Sequence, residues 1–321
     1  MQLKTGFLAL VAFMALLCTG CATVRPCATT LPSATRSGGA VLTPYRVQGG
    51  TNTCLQAFEW KAPSTPARGA VVVIHGLRDH ASRYSALAEA LTAKGLVVYA
   101  QDHRGHGYSG GPRQRFDSVA QLVSDVDLAV AEAKQRNPGV PIFLYGHSMG
   151  GLVATHYALE HGEQLRGLVL SGAALKLQPS VTGGEKTAAR VFGAILPGLP
   201  AQRLDDSEFV REPAAQRELA ADPLIDHANI PARSASAMLN AIENLGTRME
   251  EVKVPLLILH GQADKATPFE GSQELAARAG SSDKTLRLYE NVYHDLLHEP
   301  ERDVIISDVA SWITARLGEE K

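Results

Sequence analysis

The chain has 321 residues, 45% of them hydrophobic and 20% charged, with a formal net charge of −2. That balance suits a folded chain with a large apolar core and argues against intrinsic disorder. The near-neutral charge supplies no basic field for nucleic acid.

Lys4 is the only charged side chain among the first twenty residues, and residues 6–17 are almost wholly apolar. The run is too short to span a bilayer as a stable helix. A charged start, a short apolar stretch and then small residues read as an export signal over residues 1–20. Thr19-Gly20 before Cys21 is similar to a lipobox, in which Cys21 takes a lipid and becomes the new N-terminus. The departure is Cys18, where such boxes usually carry Leu. The expectation is an exported cell-envelope protein anchored to the membrane through Cys21; an unlipidated exported form and an uncleaved anchor stay open. The cysteines are Cys18, Cys21, Cys27 and Cys54. Cys27 and Cys54 could pair in an oxidising compartment, or stay free thiols. No Cys/His spacing resembles a zinc site, so no metal is expected.

Residues 21–44 are rich in Thr, Ser, Ala, Pro and Gly and read as a flexible tether. Strands and helices then alternate. Residues 70–74 form an unbroken apolar run, suited to a strand buried on both faces. Tyr84, Leu87, Ala88 and Leu91 fall at helical spacing, and Gly95 ends that helix. Residues 96–100 are a second strand. Ser118 and Gln121 make a capping box for a helix whose apolar face is Val119, Leu122, Val123, Val126 and Val130, and Asn137-Pro138 stops it. Residues 140–145 read as strand, 152–159 as helix and 168–170 as strand. From residue 175 to 246 no strand-like run appears. Strands resume at 254–259 and 285–289, and Ile305, Val309, Trp312 and Ile313 mark a closing helix. The alternation predicts a mostly parallel sheet flanked by helices, with a core from 45–174 and 247–321 and a cap inserted at 175–246.

Gly146-His147-Ser148-Met149-Gly150 is a G-x-S-x-G segment. Alone the pattern is weak, but an apolar strand runs straight into it and a helix follows, the setting a nucleophile elbow requires. Such a turn lifts the Ser148 hydroxyl clear of the sheet and aims the free N–H groups of the helix at developing negative charge. A hydroxyl needs a base to take its proton. In folds with this elbow the acid and the base follow the serine. Asp264 lies directly after the strand at 254–259, where parallel sheets place chemistry; Asp205, Asp206, Asp222 and Asp226 fall in the cap. His294 lies between the last strand and the last helix, nearer the strand end than its competitor His298. His147 should pack beneath the elbow. The oxyanion donors are expected to be the amides of Met149 and of Leu77, which follows the His75-Gly76 turn.

Several segments together resemble one family: His75-Gly76-Leu77-Arg78-Asp79-His80 with Arg83-Tyr84; Asp102-His103-Arg104-Gly105-His106-Gly107-Tyr108-Ser109; Gly146-His147-Ser148-Met149-Gly150-Gly151; His260-Gly261 with Asp264; and Tyr293-His294. The chain is similar, from about residue 45 to its end, to monoacylglycerol lipase, in the α/β-hydrolase group that also holds lysophospholipase-like hydrolases. The resemblance implies an esterase acting on single-chain glycerol esters without a cofactor. It assigns Ser148, Asp264 and His294 as the triad, Leu77 and Met149 as the oxyanion hole, and the cap as cover for an apolar acyl tunnel. Asp79 and Arg83 match positions near the glycerol head, Asp79 being shorter than the usual Glu. A lysophospholipase, a short-chain carboxylesterase and a peptidase share the triad, and a non-catalytic lipid-binding envelope lipoprotein is the reading outside enzymes. The partner expected is a small lipid ester, with the membrane reached through the anchor.

Overall fold

The computed structural model describes residues 24–25, 35–37, 39–63 and 66–318. Nine strands form the main sheet: β1 Thr35–Ser37, β2 Ala40–Gln48, β3 Cys54–Lys61, β4 Gly69–Ile74, β5 Leu96–Gln101, β6 Ile142–His147, β7 Gly167–Ser171, β8 Leu256–Gly261 and β9 Lys284–Tyr289. Their lateral order is β9-β8-β7-β6-β4-β5-β3-β2-β1. From β9 across to β5 the neighbours are parallel, and β3, β2 and β1 add on antiparallel.

The central strands are apolar throughout because both faces are covered. Ala70, Val72 and Ile74 of β4 join one core with the helices α2 (Val119–Arg136) and α3 (Met149–His161). Val71 and Val73 point the other way, into a core shared with α1 (Ser85–Thr92) and the closing helix Arg302–Thr314. The period of two within an all-apolar run thus sorts one strand between two cores. Ser118 caps α2 by accepting from the Gln121 amide at 3.1 Å. The box is only half made, because the Gln121 side chain accepts from the Asp117 amide instead of that of Ser118.

Three expectations need correction. The tether was placed over residues 21–44, yet β1 and the first half of β2 lie there. Its Pro- and Thr-rich composition hid a strand that pairs with β3 from Val41↔Lys61 to Gln48↔Cys54. Pro44 is tolerated because β1 flanks β2 only as far as Leu42, which leaves the far edge free at the proline. The inserted segment does contain strand: Pro200–Gln202 pairs with Ile230–Pro231 in a small ribbon. Its helices are α4 (Gly183–Ile195), α5 (Pro213–Ala221) and α6 (Ala232–Gly246). A further helix, α7 (Phe269–Arg278), follows β8 where none was expected. Cys54 is disulfide-bonded; Cys27, its expected partner, lies outside the described residues, as do Cys21 and the leader.

The sheet brings its active end together at one place. β4 is followed by β5 on one side, and β6 lies on the other, so chain direction diverges between β4 and β6. Crevices at such switch points bind ligands. The loop after β4 carries Leu77 and the turn after β6 carries Ser148. The two approach so closely that a β-carbon on Gly150 would lie 2.1 Å from the Ile74 carbonyl oxygen. Forced overpacking costs about 1–3 kcal/mol or more. Gly150→Ala is therefore expected to lower the urea unfolding midpoint and the soluble yield; a midpoint equal to that of the wild type would mean the elbow relaxes freely.

Candidate active site

Ser148 stands at φ 54°, ψ −120°, in the left-handed region that a non-glycine residue adopts only under constraint. The constraint is the packing of the turn. A β-carbon on Gly146 would meet the Gly150 carbonyl oxygen at 2.6 Å, and one on Gly76 would meet the Ser148 β-carbon at 3.1 Å. Only glycines let the elbow and the loop after β4 lie this close.

The serine faces His294. Their Oγ and Nε2 atoms are 2.8 Å apart, and His294 Nδ1 lies 2.8 Å from Asp264 Oδ2. A carboxylate only accepts, so Nδ1 carries the proton and Nε2 is free to receive that of Ser148. His294 and Asp264 are both buried. Burial alone would hold the imidazole neutral, but the Asp264 carboxylate beside it outweighs this and lifts its pKa above 6.5. Burial would likewise push the Asp264 carboxyl up; the His294 and His260 imidazoles around it carry it well below its ordinary value instead. Oδ1 of Asp264 also accepts from the amides of Ala266 and Thr267, each at 2.8 Å.

The amides of Leu77 and Met149 border the serine, and among the described residues neither has a hydrogen-bond acceptor. Met149 opens α3, whose dipole adds positive field there. Two unspent N–H groups beside a serine are what a tetrahedral oxyanion needs.

Asp79 and Arg83 lie in a small polar pocket against Ser148, of about 20 Å³, the room of one water. They are not free side chains. Arg83 bridges Asp79 at 3.2 Å and Asp295 at 2.7 Å, and the Tyr84 hydroxyl donates to Asp79 at 2.7 Å. Asp295 is also 2.8 Å from His298 Nδ1, which occupies the competing histidine away from the serine. On the other side of Ser148 opens a cavity of about 610 Å³, lined by Phe192, Leu199, Ile230, Met238, Leu239 and Ile242 of the cap. Leu77, Ser148, Phe209 and His294 border both spaces. Phe209 lays its ring edge against His294, with centroids 5.3 Å apart, and shields the imidazole from water.

His147, expected beneath the elbow, instead lines the small pocket beside Ser148 and donates from Nδ1 to the Ser171 carbonyl at 3.0 Å. Burial, and next to it the neighbouring His294, push its pKa down to about 4, so it stays neutral. Sequence reasoning missed Asp295, Thr267 and Phe209. Asp295 follows directly on His294 and could have been found as an adjacent carboxylate; Phe209 had no signal, because its role depends on how the cap folds back. Among the described residues, no group of three or more His, Cys, Asp or Glu side chains could hold a metal ion.

The base must be neutral to work, so kcat/KM should fall as pH drops through the His294 pKa, with a midpoint above 6.5. The sign for stability is opposite. Protonated His294 is held better in the folded state, and that contribution is present below pH 6.5 and lost as pH rises through the raised value. The acid limb should therefore be reversible on returning to neutral pH. Asp264→Asn should lower kcat by roughly 10⁴-fold, the size of the corresponding change in a serine protease, and move the acid limb down. An unshifted limb in that variant would detach Asp264 from His294.

Residues 65–301 match the family model Hydrolase_4, described as serine aminopeptidase, S33. The monoacylglycerol lipase of Mycolicibacterium smegmatis is 36% identical over 79% of this chain and 91% of its own length. Human monoglyceride lipase is 34% identical over 80% of this chain and 86% of its own. The crystal structure of Paleococcus ferrophilus monoacylglycerol lipase superposes with a TM-score of 0.73 at 31% identity, covering 85% of this chain and 99% of that one. The chain belongs to the Hydrolase_4 family and is a monoacylglycerol-lipase-like α/β-hydrolase.

Proposed function

We propose that this chain is a serine hydrolase that cleaves monoacylglycerol-type esters into a fatty acid and glycerol. The observation that carries the reading is a hydrogen-bonded Ser148–His294–Asp264 chain standing where a large apolar cavity meets a small polar one. An acyl chain fits the first; the second has room for one water, and its mouth offers polar side chains to a small hydroxylated alcohol. The named relatives act on this substrate class and support the assignment.

In this reading Ser148 Oγ attacks the ester carbonyl while His294 Nε2 takes its proton. Asp264 holds the charged imidazole, and the Leu77 and Met149 amides hold the oxyanion. The carbon–oxygen bond to the alcohol breaks, and the alcohol leaves with the proton from His294. Water, deprotonated by the same nitrogen, then releases the fatty acid and restores the Ser148 hydroxyl. Asp79 and Arg83 would contact the alcohol at the mouth of the polar pocket.

The leader is read with the same function: an exported enzyme tethered by lipid at Cys21 would sit at the surface that supplies its substrate. Among the described residues no helix is long and apolar enough to cross a membrane. Comparing the membrane and soluble fractions of cells carrying Cys21→Ser tests the tether, and a variant still wholly membrane-bound would refute it.

Ser148→Ala should remove nearly all turnover of a monoacylglycerol without changing the unfolding midpoint; wild-type turnover in that variant would end the proposal. Met238→Trp should fill the apolar cavity. Each CH₂ denied burial loses about 0.8 kcal/mol, roughly fourfold in kcat/KM. Long-chain esters should therefore lose activity far more than butyrate esters. Equal loss on both would mean that the acyl chain lies elsewhere. Faster hydrolysis of a lysophospholipid than of a monoacylglycerol by the wild type would replace the substrate named here.

A further inference from the structure

The carboxylate that orients His294 is itself held by a second imidazole. His260, the penultimate residue of β8, is wholly buried, and its Nε2 lies 3.0 Å from Asp264 Oδ2, the same oxygen that accepts from His294. Its other nitrogen, Nδ1, lies 2.7 Å from the hydroxyl of Ser272 in α7, also fully buried. These partners fix the protons. Asp264 only accepts, so His260 donates from Nε2; Nδ1 then holds a lone pair, and the Ser272 hydroxyl donates to it. The result is an unbroken line, Ser148–His294–Asp264–His260–Ser272, with a serine and a histidine on each side of one carboxylate. The Ser148 end opens on the cavities and the Ser272 end is sealed in the protein.

We propose that His260 is a positioning residue for catalysis: its N–H fixes the direction and basicity of Asp264 Oδ2 and so sets how strongly that carboxylate pulls on His294. Oδ2 also accepts from the Thr267 hydroxyl at 2.9 Å, so without His260 the carboxylate keeps its bond to His294 but settles in a shifted position, and the imidazole it orients shifts with it relative to Ser148. A donor to a carboxylate stabilises its charged form, so removing His260 leaves Asp264 more basic and its pull on His294 stronger. Ser272 acts one step further out, since donation to Nδ1 polarises the N–H at Nε2. The titratable groups facing His294 are Asp264 from the loop after β8, His147 from the elbow, Asp295 beside it and Asp79 from the loop after β4. The titratable groups bonded to Asp264 are His294 and His260, both on Oδ2, which makes His260 the lever on that carboxylate.

The inference rests on the Ser148–His294–Asp264 reading, and the test separates the two. His260→Leu, His260→Gln and Ser272→Ala would be assayed on a monoacylglycerol across the acid limb, with active sites counted by a fluorophosphonate probe. His260→Leu should lower kcat per active site by up to roughly a hundredfold, the cost of a misplaced catalytic group. It should also move the acid limb of kcat/KM upward. His260→Gln keeps an N–H donor and should lie near the wild type. Ser272→Ala should move the limb in the same upward direction by less. A merely structural role would reduce the count of active sites and leave the limb in place, and that result overturns the proposal. Should His260→Leu not fold, Ser272→Ala decides: an upward limb supports the proposal, and a profile superimposed on the wild type defeats it. Turnover surviving in Ser148→Ala would instead remove the catalytic chain on which the inference stands.

Discussion

A carboxylate with no access to water sets the terms for the rest of the site. Isolated in an apolar interior, the Asp264 side chain would cost several kcal/mol and would protonate rather than pay that cost. It stays charged because donors converge on it from three elements: two amides of its own loop, His260 at the end of β8, and His294 from the loop after β9. Each donor is placed by the sheet. β8 and β9 run parallel and in register from Leu256↔Lys284 to Gly261↔Tyr289, so the loops that leave their ends start side by side. A slip of one residue in that register would displace the loop that carries His294 relative to Asp264. The same register that makes the core therefore makes the charge tolerable, and the tolerated charge makes His294 a base.

Around that charge the cap divides space by polarity. Arg78, on the loop that also carries Leu77, donates to the carbonyls of Leu204 and Asp226, both at 3.0 Å, and pairs with Asp206 at 2.7 Å. His80 of the same loop meets Asp222 at 2.9 Å. The cap is thus latched to the segment that supplies an oxyanion donor, and the latch stands on the polar side of Ser148. The other side is lined mainly by aliphatic and aromatic side chains, many of them from α4 and α6. The cavity walls are therefore mainly apolar, with Lys176, Glu185 and Lys186 among the charged residues that also line them. An ester lying across Ser148 would meet water-like partners at its alcohol end and hydrocarbon at its acyl end. That asymmetry orients the bond to be cleaved before any chemistry begins.

Much of this was legible in the sequence, for definable reasons. The central strands announce themselves because burial on both faces leaves no polar residue in them, as at residues 70–74 and 96–100. The elbow is legible because its glycines are fixed by steric contact, and contact of that kind tolerates no substitution by a side chain. Asp264 and His294 follow from chain order and from the ends of strands. The rest depends on partners distant in sequence. The first half of β2 was taken for tether because its half-buried pattern is weak and contains Pro44, and its strand character comes from pairing with β3. α7 escaped because only three of its residues are buried and two of those are Gly271 and Ser272, which carry no hydrophobic period. Asp79 and Arg83 were matched by resemblance to positions near a glycerol head, but the bridge that Arg83 makes between Asp79 and Asp295 could not be read from either local stretch.

The buried histidines show that chemistry here is assigned by surroundings and not by residue type. His75, His103 and His106 form a cluster with ring centroids 4.4 to 6.2 Å apart, and His147 lies 4.9 Å from His294. Burial holds His75 and His103 far below the ordinary range, and His106 and His147 down to about 4. None of these four rings is hydrogen-bonded to a carboxylate; their partners are backbone carbonyls and, for His75, the His103 amide. His294 is as deeply buried, yet it is shifted the other way, because Asp264 is bonded to it. Among these five rings, the bond to Asp264 separates the imidazole that can take a proton from the four that serve as neutral packing. The neutrality of His147 matters in turn. A charged ring at 4.9 Å would repel the proton that His294 must accept from Ser148, so desolvating one histidine preserves the basicity of the next.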